Sequence, residues 1–120
     1  MIDAIVEIFK DLMTTKGRIP RSTFWWFHGI LFALLLFLGL LSESKVIPES
    51  LITILSVLML PLFIMRIIVE IKRWHDRDKS GWWVLIGIIP CAGFLWVLIE
   101  CGFLPGTKGE NRFGPDPLQF

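Results

Sequence analysis

The residues with the most capacity for chemistry stand together at positions 73–83, RWHDRDKSGWW. Arg73, His75, Asp76, Arg77, Asp78 and Lys79 fall within seven positions there. A His followed by carboxylates suggests a general base or a metal site in a soluble enzyme. Adjacent residues orient each other poorly, however, and no activated nucleophile accompanies His75 and Asp76. His28, Cys91 and Cys101 are scattered, and Asp76 with Asp78 lacks the loop of a calcium site, so the spacing gives no metal set. A phosphate-binding glycine loop, a nucleophile elbow and a zinc-protease motif are all missing. The expectation is a protein without a catalytic constellation or a cofactor.

A second polar pattern leads into this stretch. On a helix advancing 100° per residue, Arg66, Glu70, Arg73 and Arg77 fall within an arc of about 60°. Arg66–Glu70 is an i,i+4 pair and Glu70–Arg73 an i,i+3 pair. Snorkelling of long side chains near a helix end accounts for Lys72 and Arg77. Arg66 differs: residues 51–65 before it carry no charge, and it lies about two turns deeper than Arg73. Charge at that depth is costly and normally paired, which makes Glu70 its natural partner. Such a stripe suits anionic lipid headgroups, a gated polar path, or acidic residues on a partner. His75 points away from it, so the stripe and the His75–Asp76 element are read as separate. His28, one turn into an apolar run, reads as a neutral, hydrogen-bonded residue.

The elements that must position these groups are strongly apolar. Hydrophobic residues make up 54% of the 120 positions, with a mean hydropathy of +0.67, above the usual share for a soluble domain. A net charge of +1 gives no reason to propose nucleic acid. Residues 1–13 place Ile2, Ile5, Val6, Phe9, Leu12 and Met13 at helical spacing, forming an amphipathic helix too short to span. Its mostly acidic polar face favours packing on protein over anionic lipid. Gly17 and Pro20 break that helix, and Ser22 or Thr23 is the expected cap of the next. Residues 24–41, FWWFHGILFALLLFLGLL, cover about 27 Å against a hydrocarbon core of roughly 30 Å. Residues 51–72 form a second span that Pro61 kinks rather than ends. Residues 82–102 form a third, with Gly87, Cys91, Ala92 and Gly93 offering small surfaces for close packing. Residues 103–120 are an irregular polar tail. The predicted fold is an all-α membrane protein, a single membrane domain over residues 1–120, with three transmembrane helices preceded by a short amphipathic helix.

Charge sets the expected orientation. Four Lys and Arg precede the first span and five belong to the second loop, against one in the first loop and two in the tail. That asymmetry places the N-terminus and loop 73–81 in the cytoplasm and the tail in the periplasm. Trp25, Trp26, Trp74, Trp82 and Trp83 then form an aromatic belt at the cytoplasmic interface. The alternative is a re-entrant third segment, folded back at Pro90 and Gly93, which would put the tail beside the loop. Broken backbone at that depth needs protein or water around it, and three helices supply little.

Three stretches carry a resemblance: GRIPRSTFWWF (17–27), KRWHDRDKSGWW (72–83) and GTKGENRFGPDP (106–117). In order and spacing the chain resembles the domain of unknown function 805 family of small bacterial inner-membrane proteins. The family's usual Arg-Arg-Leu-His-Asp is Lys72-Arg73-Trp74-His75-Asp76 here, while Asn111-Arg112-Phe113-Gly114-Pro115-Asp116-Pro117 matches closely. The resemblance implies a multi-pass inner-membrane protein and carries over no catalytic residue. A tail this particular calls for a partner. If the third segment is re-entrant, Arg112 or Asp116 pairs with Asp76 or Arg73. Asn111, Arg112 and Asp116 therefore join Arg66, Glu70, Arg73, His75 and Asp76 as candidate functional residues.

The expected role is a non-enzymatic interaction or regulatory subunit that meets the bilayer, including anionic headgroups, and self-associates or joins a larger membrane complex. The alternative is an oligomeric small-solute or ion transporter, or a lipid-handling protein, using the Arg66/Glu70/Arg73 stripe.

Overall fold

The computed structural model describes residues 1–118, except for the side chains of residues 8, 9 and 11–13. The apolar positions Phe9, Leu12 and Met13 of the expected N-terminal face lie outside the described side chains. Within that range the chain is helical, with one isolated β-bridge in the tail and no strand. Helix α1 (Ile2–Met13) packs against the second long helix and exposes Ile2 and Ile5.

Helix α2 (Arg21–Ser44) extends about 36 Å. Its N-cap is Pro20, not Ser22 or Thr23, and Lys45 closes its far end in the left-handed conformation (φ 59°). Val46–Pro48 then turn the chain into α3 (Glu49–Leu58) and α4 (Leu60–Asp76), which return alongside α2. The two are one helical rod apart from a break at Met59, whose N–H reaches back to Ser56 and Val57. That break puts Pro61 in the first turn of α4, where no intrahelical N–H is required of it.

These two rods are long and apolar enough to cross a membrane. Their faces point outward: Phe32, Phe37, Leu40 and Leu58 are all exposed. Moving one such side chain from water into hydrocarbon is worth about 1.5–3 kcal/mol, so these faces belong in lipid or against another chain. The buried core is small and gathers at one end. Phe24, Val69, Trp74, Val97 and Cys101 meet there, supported by Ile19, Phe27, Val84 and Ile86.

The third apolar segment departs from the expected span over 82–102. Ser80 accepts a hydrogen bond from the Trp82 N–H and starts a 3-10 helix, Gly81–Ile88, about 16 Å long. The chain then reverses. Cys91 (φ 60°, ψ −63°) sits at the centre of a γ-turn closed by the Ala92 N–H on the Pro90 carbonyl at 2.6 Å. Helix α5 (Ala92–Val97) runs back into a π-helical turn, Leu98–Phe103. Gly93 permits the reversal: a Cβ there would stand 2.0 Å from the Ile86 carbonyl oxygen. The returning limb, Ala92–Phe103, covers about 18 Å. Neither limb reaches across a hydrocarbon core of roughly 30 Å. The segment is a helical hairpin, and its second limb delivers the tail to the end it started from.

Candidate functional site

Three stretches of sequence converge at that end: the link 14–20, the C-terminus of α4, and the tail from Cys101 onward. Their meeting follows from a backbone problem. The last carbonyls of any helix lack intrahelical partners and carry partial negative charge. Five consecutive carbonyls at the end of the hairpin each receive a side-chain donor. Arg73 Nε donates to Cys101 O (2.6 Å), Trp25 Nε1 to Gly102 O (2.7 Å) and Arg21 Nη1 to Phe103 O (2.6 Å). Arg73 Nη2 donates to Leu104 O and Arg77 Nη1 to Pro105 O, both at 2.6 Å. Three arginines and an indole thus close the end of the hairpin.

Asp76 lies at the centre. Its Oδ1 accepts from Arg18 Nε at 3.0 Å, its Oδ2 accepts from Arg73 Nη1, and its main-chain carbonyl accepts from the Thr107 N–H at 2.7 Å. Arg18 also holds the tail, donating to Thr107 O (2.5 Å), Gly109 O (2.7 Å) and Gly114 O (3.2 Å). Both guanidinium groups are buried, with side chains 1% and 0% exposed, and Asp76 is 5% exposed between them. Burying charge this deeply is tolerable because nearly every donor has an acceptor with the right geometry. Gly106 passes so close to Asp76 that a Cβ would lie 2.0 Å from Oδ2.

His75 faces the tail from the other side of α4. Its Nδ1 meets the Gly17 carbonyl at 2.9 Å, and since a carbonyl only accepts, Nδ1 carries the proton. Its ring stacks on Phe113 with centroids 3.9 Å apart and planes 3° off parallel. Asn111 Nδ2 donates to the His75 carbonyl (2.9 Å), while its Oδ1 accepts from the Phe113 N–H and shapes the turn 111–114. Asp116 Oδ2 accepts from the Gly109 N–H, and its Oδ1 from the Leu118 N–H. These two bonds hold its carboxyl below the usual aspartate range. Arg112 pairs with Asp78 at 3.3 Å on the exposed rim. Glu100, at the hairpin's end, accepts from Lys79 Nζ (2.5 Å), Arg77 Nε (3.2 Å) and Trp96 Nε1 (3.3 Å). The Lys79 ammonium also lies 4.8 Å over the Trp83 ring.

Several expectations change here. The tail, expected apart from loop 73–81, is hydrogen-bonded to it through Thr107, Asn111 and Arg112. Neither Arg112 nor Asp116 reaches Asp76 or Arg73; Arg18 makes the contact with Asp76, and sequence reasoning treated Arg18 only as a topological charge. The stripe and the His75–Asp76 element are not separate, since Arg73 and Asp76 are bonded one turn apart. The stripe itself divides: Arg73 is wholly buried, whereas Arg66 is 42% exposed and touches Glu70 only as an ion pair at 3.6 Å. Trp74 is a core residue with no exposure rather than an interface anchor, while Trp26 and Trp82 are well exposed and Trp25 and Trp83 about half so. Among the described residues no three His, Cys, Asp or Glu side chains gather closely enough to hold a metal ion.

What this arrangement does chemically is hold. Arg18, Arg73 and Asp76 satisfy one another and the backbone, which leaves no free base or acid at the centre of the cluster.

Known proteins carry the same pattern over almost the full length. The chain is 32% identical over 120 residues to the inner membrane protein YhaH of Escherichia coli K12, covering 97% of each chain. It is 30% identical to the inner membrane protein YhaI of the same strain, covering 93% of this chain and 92% of that one. The uncharacterized protein YiiR of that strain is 29% identical, with 92% and 90% covered. No solved structure matches. The sequence pattern of DUF805, described as a protein of unknown function, matches residues 12–115 and takes in Arg18, Arg73, His75, Asp76, Asn111 and Arg112. With two helices able to cross a membrane and relatives named for the inner membrane, the chain is a membrane protein and belongs to the DUF805 family.

Proposed function

We propose that this protein is a non-enzymatic inner-membrane component, an interaction or regulatory subunit that works by associating with itself or with a larger membrane complex. One observation carries the reading. The polar residues best suited to chemistry are consumed in internal hydrogen bonds, while the long faces of α2, α3 and α4 remain apolar and uncovered. A chain built this way spends its charge on holding a shape and presents that shape within the membrane. Gly29 and Ala33 on α2 allow another helix to approach closely.

The topology that accompanies this reading is two spans plus a re-entrant hairpin, with N-terminus, loop and tail all cytoplasmic. Its support is charge: eleven of the twelve Lys and Arg then lie on one side and only Lys45 on the other. Reporter fusions at each terminus test it, a fluorescent protein being active only inside and a phosphatase only outside. A phosphatase-active C-terminus refutes the hairpin topology. Native mass spectrometry in mild detergent tests the role. A protein that stays monomeric at all concentrations, with no second subunit co-purifying, refutes it.

The transport reading is favoured by a single residue, Arg66, since Arg73 is fully engaged and Glu70 is covered. In a liposome flux assay, equal background flux from wild type and Arg66→Ala removes that reading.

A further inference from the structure

Arg66 stands apart from the other arginines. Arg18, Arg21, Arg73, Arg77 and Arg112 each donate at least one hydrogen bond to a named acceptor. Among the described residues Arg66 has only its 3.6 Å ion pair to Glu70, and the Glu70 side chain is 3% exposed. The positive partner is therefore presented and the negative partner hidden. A guanidinium with free donors at membrane depth is an expensive feature, and its fork geometry suits a phosphate.

The surroundings specify more. Arg66 lines a groove of about 440 Å³ between α2, α4 and α5, and among the described residues it is the one charged side chain in that lining. The groove has a direction. Trp25, His28 and Arg66 stand toward the polar cluster, and Phe32, Leu35 and Phe63 lie farther from it along the antiparallel helices. From Trp25 to Leu35 the α2 wall runs about 15 Å, the length of much of an acyl chain. Polar end toward the interface and apolar end toward the bilayer centre is the polarity of a lipid.

The geometry points to a binding site for one anionic phospholipid, its phosphodiester on Arg66 and an acyl chain along the Phe32–Leu35–Phe63 wall. The net charge of the lipid matters because the groove offers a cation with no accessible carboxylate beside it. This goes beyond the scaffold reading above and does not depend on it, since a monomer can hold the lipid equally well.

The test is native mass spectrometry of the full chain, titrated with phosphatidylglycerol or with phosphatidylethanolamine of the same acyl chains. Wild type is expected to retain phosphatidylglycerol roughly tenfold more strongly, the scale of one charge-assisted contact. Arg66→Gln abolishes that preference. Gly29→Leu gives an independent answer, because a Cβ at Gly29 meets nothing within 4 Å and the larger side chain fills the groove with Arg66 intact. Lys45→Ala, on the exposed turn at the far end, keeps the wild-type preference. Equal retention of the two lipids overturns the proposal. So does a preference that survives Gly29→Leu, or stronger retention of a fatty-acid carboxylate than of phosphatidylglycerol.

Discussion

Asp76→Asn is the substitution that separates a held cluster from a merely crowded one. The Asp76 carboxylate sits between two buried guanidinium groups, accepting from Arg18 on one oxygen and Arg73 on the other. An amide keeps one acceptor but turns a donor toward the other guanidinium, leaving two like charges buried without their counter-ion. Removing one partner from a buried ionic set typically costs about 3–5 kcal/mol. The loss falls on the contacts that seat the tail and the end of the hairpin. Cys101 reports on them directly, because it is fully buried and its carbonyl is held by Arg73. In a Cys91→Ser background, thiol labelling of Cys101 reads how often this end opens. At 1.4 kcal/mol per factor of ten, the lower figure of about 3 kcal/mol gives acceleration on the order of a hundredfold. Asp78→Asn, which disturbs only the exposed pair with Arg112, is expected to stay within about threefold. A labelling rate for Asp76→Asn equal to wild type would refute the view that Asp76 holds this end together.

Gly106→Ala places a methyl 2.0 Å from Asp76 Oδ2 and should accelerate Cys101 labelling in the same assay, with the roughly 1–3 kcal/mol cost of overpacking. Phe113→Ala removes the ring stacked on His75, worth about 0.5–1.5 kcal/mol, and should raise hydrogen exchange across residues 109–114 while leaving Cys101 protected. Asp116 has a folded-state affinity for protons below the usual aspartate range, so its contribution is complete above that range and lost as pH falls through the depressed value. Exchange at the Gly109 and Leu118 amides should therefore rise in acid, and Asp116→Asn should flatten that dependence.

Much of this architecture is legible in the sequence because its causes are local. The apolar runs after Arg21 and Glu49 and the irregularity expected at Pro61 each depend on residues within a turn or two. The candidate cluster was half legible. Loop 73–81 and the tail motif at Asn111–Asp116 were marked by composition, yet nothing in their spacing says that they touch. Arg18 was the residue most fully missed. Its neighbours Lys16 and Arg21 look the same in sequence, and only burial beside Asp76 distinguishes it.

The division has a physical basis. Hydrophobic length and charge bias belong to a segment whatever lies around it, so the sequence alone determined a helical membrane protein, with its three apolar segments all read as spans. Whether an apolar segment crosses or turns back depends on who satisfies its backbone. Pro90, Gly93 and the carbonyls of residues 101–105 could end a span or a hairpin equally well. Tertiary structure decided for the hairpin, because Arg21, Arg73, Arg77 and Trp25 come from other helices to meet those carbonyls.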